Sequence, residues 1–162
     1  MTTRVLFVCL GNICRSPAAE NIMRHLLAQA GLEKHIHCDS AGTSNYHPGE
    51  PPDRRMQQVL RSYGIPVQGT ARQIQPKDLE DFDLILAMDR ENFADICALD
   101  PQGLYRNKIQ LMGRYCRDPR WRDQDVPDPY YGGEAMFHEV VRMLQEGCTN
   151  LLAELSQDLP KK

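Results

Sequence analysis

The chain has 162 residues, 41% of them apolar and 25% charged, with 11 glycines and 11 prolines. That balance fits one packed domain over residues 1–162 and excludes a disordered or fibrous chain. Nineteen Lys and Arg against 22 Asp and Glu leave a net charge of −3, so no nucleic acid partner is expected, because binding by counterion release needs a basic excess.

The longest apolar run, Val5 to Leu10, is six residues, too short for a membrane span or a signal-peptide core. The expectation is a cytoplasmic monomer with no membrane partner. Six cysteines, at positions 9, 14, 38, 97, 116 and 148, are too sparse for a disulfide-stapled scaffold. In a reducing compartment they are free thiols, so any important cysteine is chemical rather than structural.

Strand and helix signals alternate along the whole chain. Val5-Leu6-Phe7-Val8 is continuous, apolar and rich in branched residues, which suits a strand buried on both faces. Pro17 at the first helical position, with Ser16 as cap, opens a helix whose Ile22, Met23, Leu26, Leu27 and Ala30 share a face before Gly31 ends it. Residues 35–39 are a weaker strand, followed by a turn-rich stretch from Ser40 to Pro52. Met56, Val59, Leu60 and Tyr63 recur at helical spacing up to Gly64.

Residues 83–88 read as a third strand, and Asp89 can cap a helix with Phe93, Ile96 and Cys97 inward. Ile109 to Met112 is a short fourth strand. From Gly113 to Pro129 the chain is polar and holds three prolines, which predicts an exposed and functional loop. Phe137, Val140, Val141, Leu144, Cys148, Leu151, Leu152 and Leu155 then form an apolar stripe over about 134–157. Such alternation implies right-handed crossovers and an α/β, doubly wound sheet of parallel strands, with ligands beyond the carboxyl ends of the strands.

The loop after the first strand is therefore the place to look. It reads Cys9-Leu10-Gly11-Asn12-Ile13-Cys14-Arg15-Ser16, then Pro17. A bare Cys-x5-Arg is weak, and Cys116-x5-Arg122 also fits it, but no Gly or Asn lies inside that second match and no helix start follows. In the first match each residue has a task. Gly11 and Asn12 tolerate positive φ, so successive N–H groups can turn inward, and the following helix adds the positive end of its dipole. Arg15 supplies a fork for two phosphate oxygens, Ser16 can donate to sulfur, and Cys9 sits where these donors converge, an arrangement that favours a thiolate. Taken alone, Cys9 would be a buried thiol and Arg15 a solvated residue; the nine-residue context favours a nucleophile inside a dianion cradle.

That loop resembles the V-C-x-G-N-x-C-R-S-P loop of the low-molecular-weight protein tyrosine phosphatases. Asp39-Ser40-Ala41-Gly42-Thr43, Ala71-Arg72-Gln73, Met88-Asp89 and Asp128-Pro129-Tyr130-Tyr131-Gly132 resemble further segments of that family, in order, along nearly the whole chain. The resemblance implies a flavodoxin-like sheet of four parallel strands with helices on both faces. It also implies cofactor-free and metal-free hydrolysis of phosphotyrosine in proteins through a phosphocysteine.

An aryl phosphate releases a phenol of pKa about 10, so an acid must protonate the leaving oxygen. Asp128, between Pro127 and Pro129, is by itself a turn residue, and the resemblance makes it that acid. Asn12 and Ser40 resemble the pair that holds the loop in shape. Tyr46, Tyr130 and Tyr131 either wall a pocket deep enough for a phosphorylated ring or simply pack their loops, with Leu10 and Ile13 as the apolar lip. Asp89 fits either a helix cap or a partner of Arg15. Cys14 is either a packing residue or, as the resemblance favours, the thiol that traps oxidised Cys9.

His35 and His37 flank no second cluster that would complete a zinc site, and no nucleotide P-loop occurs. Of the competing functions, arsenate reduction requires two further cysteines after the third strand, where Cys97 stands alone. Related arginine phosphatases carry Thr at the position of Ile13. A non-catalytic phosphate binder needs neither Cys9 nor Asp128.

Overall fold

Val5, Leu6, Phe7 and Val8 are wholly buried, as a run apolar on both sides requires, and they form the centre of strand β1 (Thr3–Cys9). The computed structural model describes residues 2–157 and 159, so the ends of the domain expected over 1–162 lie outside the described residues. β1 pairs in parallel with β2 (Ile36–Gly42) on one side and with β3 (Leu84–Ala87) on the other, and β3 pairs with β4 (Ile109–Leu111). The order is β2-β1-β3-β4, all parallel. This is the flavodoxin-like doubly wound α/β sheet.

Alternate residues of β1 face two separate cores. Val5 and Phe7 pack with Ile22 and Met23 of α1 (Arg15–Ala30), Met56 and Leu60 of α2 (Arg54–Ser62), and Phe137, Val140 and Leu144 of α5 (Glu134–Ser156). Leu6 and Val8 face the other way, against Leu79 of α3 (Pro76–Asp81) and Ile96 of α4 (Arg90–Ala98). Each of these wholly buried side chains contributes about 1.5–3 kcal/mol. The chain reverses its winding between β1 and β3, and the loop after β1 opens there.

Several expectations are corrected. α1 begins at Arg15, two residues before Pro17, so Ser16 lies inside the first turn and Cys14 occupies the cap position without a side-chain bond. Pro17 is tolerated because first-turn N–H groups lack helical acceptors. Ala30 is exposed rather than inward. β2 runs on through Ser40, Ala41 and Gly42, because pairing residue by residue with Phe7, Val8 and Cys9 outweighs their turn preference.

α3 has no sequence expectation, being six residues long; its signal was Pro76 in the first turn, with the Asp78 carboxylate accepting the Gln75 N–H at 2.7 Å. β4 ends at Leu111, one residue early, where Met112 opens a 3-10 turn. The stretch 113–129 is no simple exposed loop: Cys116, Trp121 and Val126 are buried in the main core, and a Cβ on Gly113 would meet the Gln124 carbonyl oxygen at 2.0 Å. Its polar composition hid these anchors. Among the described residues no helix is long and apolar enough to cross a membrane.

Candidate active site

The carbonyls of the loop after β1 are drawn outward by the neighbouring chain. Thr43 N–H donates to Cys9 O at 2.9 Å, Ser44 N–H to Leu10 O at 3.0 Å, and Asp53 N–H to Ile13 O at 2.7 Å. With the carbonyls held outside, the amides of Gly11, Ile13, Cys14 and Arg15 find no acceptor among the described residues. The Asn12 N–H donates to Cys9 Sγ at 3.3 Å. Free amides at a helix N-terminus favour an anion.

Asn12 holds this shape. Its φ is +58°, in the left-handed region that Asn adopts more readily than most residues. Its side chain is buried and fully engaged: Nδ2 donates to Ser16 Oγ at 2.8 Å and to Ser40 Oγ at 2.9 Å, and Oδ1 accepts the Arg72 N–H at 3.0 Å. Ser16 Oγ lies 2.9 Å from Cys9 Sγ. That oxygen accepts from Asn12, and its one proton can go to the sulfur or to the Ala41 carbonyl, which lies farther off at 3.4 Å. Gly11 lacks the positive φ expected of it, and a Cβ there would meet the His47 ring at 3.3 Å, close enough that the ring would have to give way slightly.

The Arg15 guanidinium is 3% exposed. Nη1 donates to Asp89 Oδ2 at 2.6 Å and to the Val126 carbonyl at 3.0 Å. Burial works against its charge, but the Cys9 sulfur, Asp89 and Asp128 together outweigh that and hold its proton more tightly than in water. Asp89 performs both tasks left open by the sequence, because its second oxygen caps α4 by accepting the Asn92 N–H at 2.7 Å. Arg15 Nη2 stands 3.7 Å from Asp128 Oδ2, while Asp128 Oδ1 accepts the Tyr130 N–H at 3.1 Å. Asp128 is thus a turn residue and also a carboxyl facing the guanidinium.

These groups share one cleft of about 200 Å³, lined by Cys9, Leu10, Gly11, Ile13, Cys14, Arg15, Tyr46, His47, Asp128, Tyr130 and Tyr131. Tyr130 meets Tyr131 edge to face at 5.0 Å. Tyr131 is 94% exposed and Tyr46 72%, so they stand at the mouth, with Tyr130 further in. Ser16 and Ser40 lie behind the loop rather than in the cleft. Cys14 is buried, and burial first, then Asp53, Cys9 and Asp128, push its thiol far above the usual range.

Sequence reasoning missed His47, which lines the cleft, and Glu20, whose buried carboxylate accepts from Ser40 Oγ at 2.5 Å and pairs with Arg24. It also missed Asp53 and the Val126 carbonyl. Asp53 after two prolines carried a cap signal, and it does cap α2. A backbone carbonyl carries no signal at all.

The family described as low molecular weight phosphotyrosine protein phosphatase matches residues 4–161. The low molecular weight protein-tyrosine-phosphatase YfkJ of Bacillus subtilis is 46% identical over 157 residues, covering 95% of this chain and 96% of its own. The crystal structure of a protein tyrosine phosphatase from Entamoeba histolytica, with Hepes in the active site, superposes with a TM-score of 0.91 at 42% identity, covering 96% of this chain and 98% of that one. That of a Drosophila arginine phosphatase gives 0.86 at 34%, covering 95% and 98%. With the phosphate-loop sequence in a flavodoxin-like sheet and matches spanning nearly the whole chain, the protein belongs to the low molecular weight phosphotyrosine protein phosphatase family.

Proposed function

We propose that the protein hydrolyses phosphotyrosine in proteins, and small aryl phosphates, without metal or cofactor, as a single cytoplasmic domain over residues 1–162 acting as a monomer. One observation carries this reading: the Cys9 sulfur, the unpaired loop amides and the Arg15 guanidinium face a single cleft overlooked by Asp128.

The amides of Gly11, Ile13, Cys14 and Arg15, with the Arg15 fork, hold the phosphoryl oxygens and stabilise the charge that grows on them in the transition state. Cys9 Sγ attacks phosphorus. The phosphorus–oxygen bond breaks, its electron pair leaves on the phenolic oxygen, and that oxygen takes the Asp128 proton. A phosphocysteine remains. The Asp128 carboxylate then accepts a proton from a water whose oxygen attacks the same phosphorus, and the sulfur departs as a thiolate steadied by the Ser16 hydroxyl. Inorganic phosphate leaves.

Tyr46, Tyr130 and Tyr131, with Leu10 and Ile13, form the walls and lip that receive the phenyl ring. An apolar Ile13 suits such a ring better than a hydrated guanidinium, which favours tyrosine over arginine phosphate. In the same site Cys14 serves as redox partner. If peroxide converts Cys9 to a sulfenic acid, the Cys14 sulfur displaces hydroxide to give a disulfide that thiols can reduce.

The test is kinetic. Cys9→Ser should lose turnover while still binding vanadate, and Asp128→Ala should slow aryl phosphate cleavage by about 10² to 10⁴, least for the most acidic phenols. A serine variant with the parent rate, or an equal loss across phenols, would overturn the assignment. Cleavage of phosphoarginine in preference to phosphotyrosine would move the substrate class.

A further inference from the structure

Arg55 lies outside the cleft, yet it joins the two segments that must face each other across it. The Asp53 amide holds the phosphate loop through Ile13 O at 2.7 Å, and the Asp53 carboxylate engages Arg55 three times: Oδ1 accepts the backbone N–H at 2.8 Å and Nε at 3.1 Å, and Oδ2 accepts Nη2 at 3.0 Å. So fixed, the guanidinium stands over the Phe137 ring at 4.7 Å and over the Tyr130 ring at 5.3 Å. Phe137 is wholly buried on α5, whereas Tyr130 is 36% exposed on a loop. Tyr130 in turn donates its N–H to Asp128 Oδ1. The links run unbroken from Ile13 through Asp53, Arg55 and Tyr130 to Asp128.

We infer that Arg55 is a positioning residue, which clamps the Tyr130 ring against the α2–α5 side of the molecule and thereby fixes both a wall of the cleft and the aim of the Asp128 carboxyl. A cation over two aromatic faces, one buried and one exposed, ties the exposed ring to the buried one, and a bidentate partner keeps the guanidinium from turning away. Arg55 lines the groove behind the rim rather than the cleft itself, so its influence on substrate passes through Tyr130.

The inference rests on Asp128 being the acid and Tyr130 a wall, and the experiment separates the two ideas. Arg55→Ala, Arg55→Lys, Tyr130→Ala and the Arg55/Tyr130 double variant are assayed on aryl phosphates whose phenols span a range of pKa, with inorganic phosphate as competitive inhibitor.

Arg55→Ala should lower kcat/KM about three- to tenfold for poor leaving groups and less for good ones, while the inhibition constant for phosphate stays at the parent value. Arg55→Lys should recover part of the loss, since the charge over the rings remains and the fork does not. In the double variant the loss should equal that of Tyr130→Ala alone, because Arg55 then has no ring to hold. Additive losses, or an unchanged leaving-group dependence in Arg55→Ala, overturn the clamp. Weakened phosphate inhibition also overturns it, by showing that Arg55 acts on the phosphate loop instead. Asp128→Ala run in parallel reports on the acid: if that variant is indifferent to the phenol, the underlying reading fails, and if it responds while Arg55→Ala does not, only the clamp fails.

Discussion

Replacing Asn12 by Ala removes three hydrogen bonds from a buried site, to Ser16 Oγ, Ser40 Oγ and from the Arg72 amide. At a net value of about 1 kcal/mol each, those bonds contribute about 3 kcal/mol. Asn12 also holds φ at +58°, and an alanine in the left-handed region costs about 1 kcal/mol more. The expected destabilisation is therefore about 4 kcal/mol for Ala and nearly the same for Gly, whose freedom from left-handed strain is offset by about 0.5–1 kcal/mol of extra chain entropy lost on folding.

For a chain of this length each kcal/mol lowers Tm by roughly 2–4 °C, so the alanine variant should melt about 8–16 °C below the parent. Urea titration of parent, Asn12→Ala and Asn12→Gly measures the differences, and phosphate inhibition reports whether the loop keeps its shape. A loss below about 1 kcal/mol for Asn12→Ala would refute the network.

Two further outcomes follow from contacts around the loop. Gly42→Ala places a Cβ 2.7 Å from the Leu10 carbonyl oxygen, so the phosphate loop must shift, and kcat/KM should fall on the order of 10²-fold; an unchanged phosphate inhibition constant would show that the loop is indifferent to that contact. Burial, with Asp53, Cys9 and Asp128 adding to it, raises the Cys14 thiol far above the usual range, so Cys14 stays protonated at neutral pH. Disulfide closure on peroxide-treated Cys9 needs its thiolate and should therefore accelerate with rising pH, by up to about tenfold per unit between about pH 6 and 9; a flat rate, followed by mass of the trapped species, would exclude Cys14 as the attacking thiol.

Sequence alone determined the parallel sheet, the buried faces of α2 and α5, and the loop after β1 as the place to look for a site. These are local: an unbroken apolar run, a 3.6-residue stripe, and a Gly-Asn pair between a strand and a helix are readable because each obeys the geometry of a few consecutive residues. The aspartate at 89 shows the limit, since the sequence left it as either a cap or a partner of Arg15, and one oxygen performs each task because the start of α4 and the phosphate loop meet at the ends of neighbouring strands.

Tertiary structure decided the rest. Nothing within the stretch 113–129 shows that Val126 is buried with its carbonyl on Arg15, nor does the loop sequence show that Gly11 lies beside the His47 ring without a positive φ. Ser40, held by Glu20, and the Asp53 amide reach the loop, and Arg55 stands over the Tyr130 ring, from elements far away in the chain or facing away from the cleft. Strand and helix periodicities fix which way a side chain points along its own element, but the partner it meets depends on how separate elements are brought together, and no pattern in a short window encodes that.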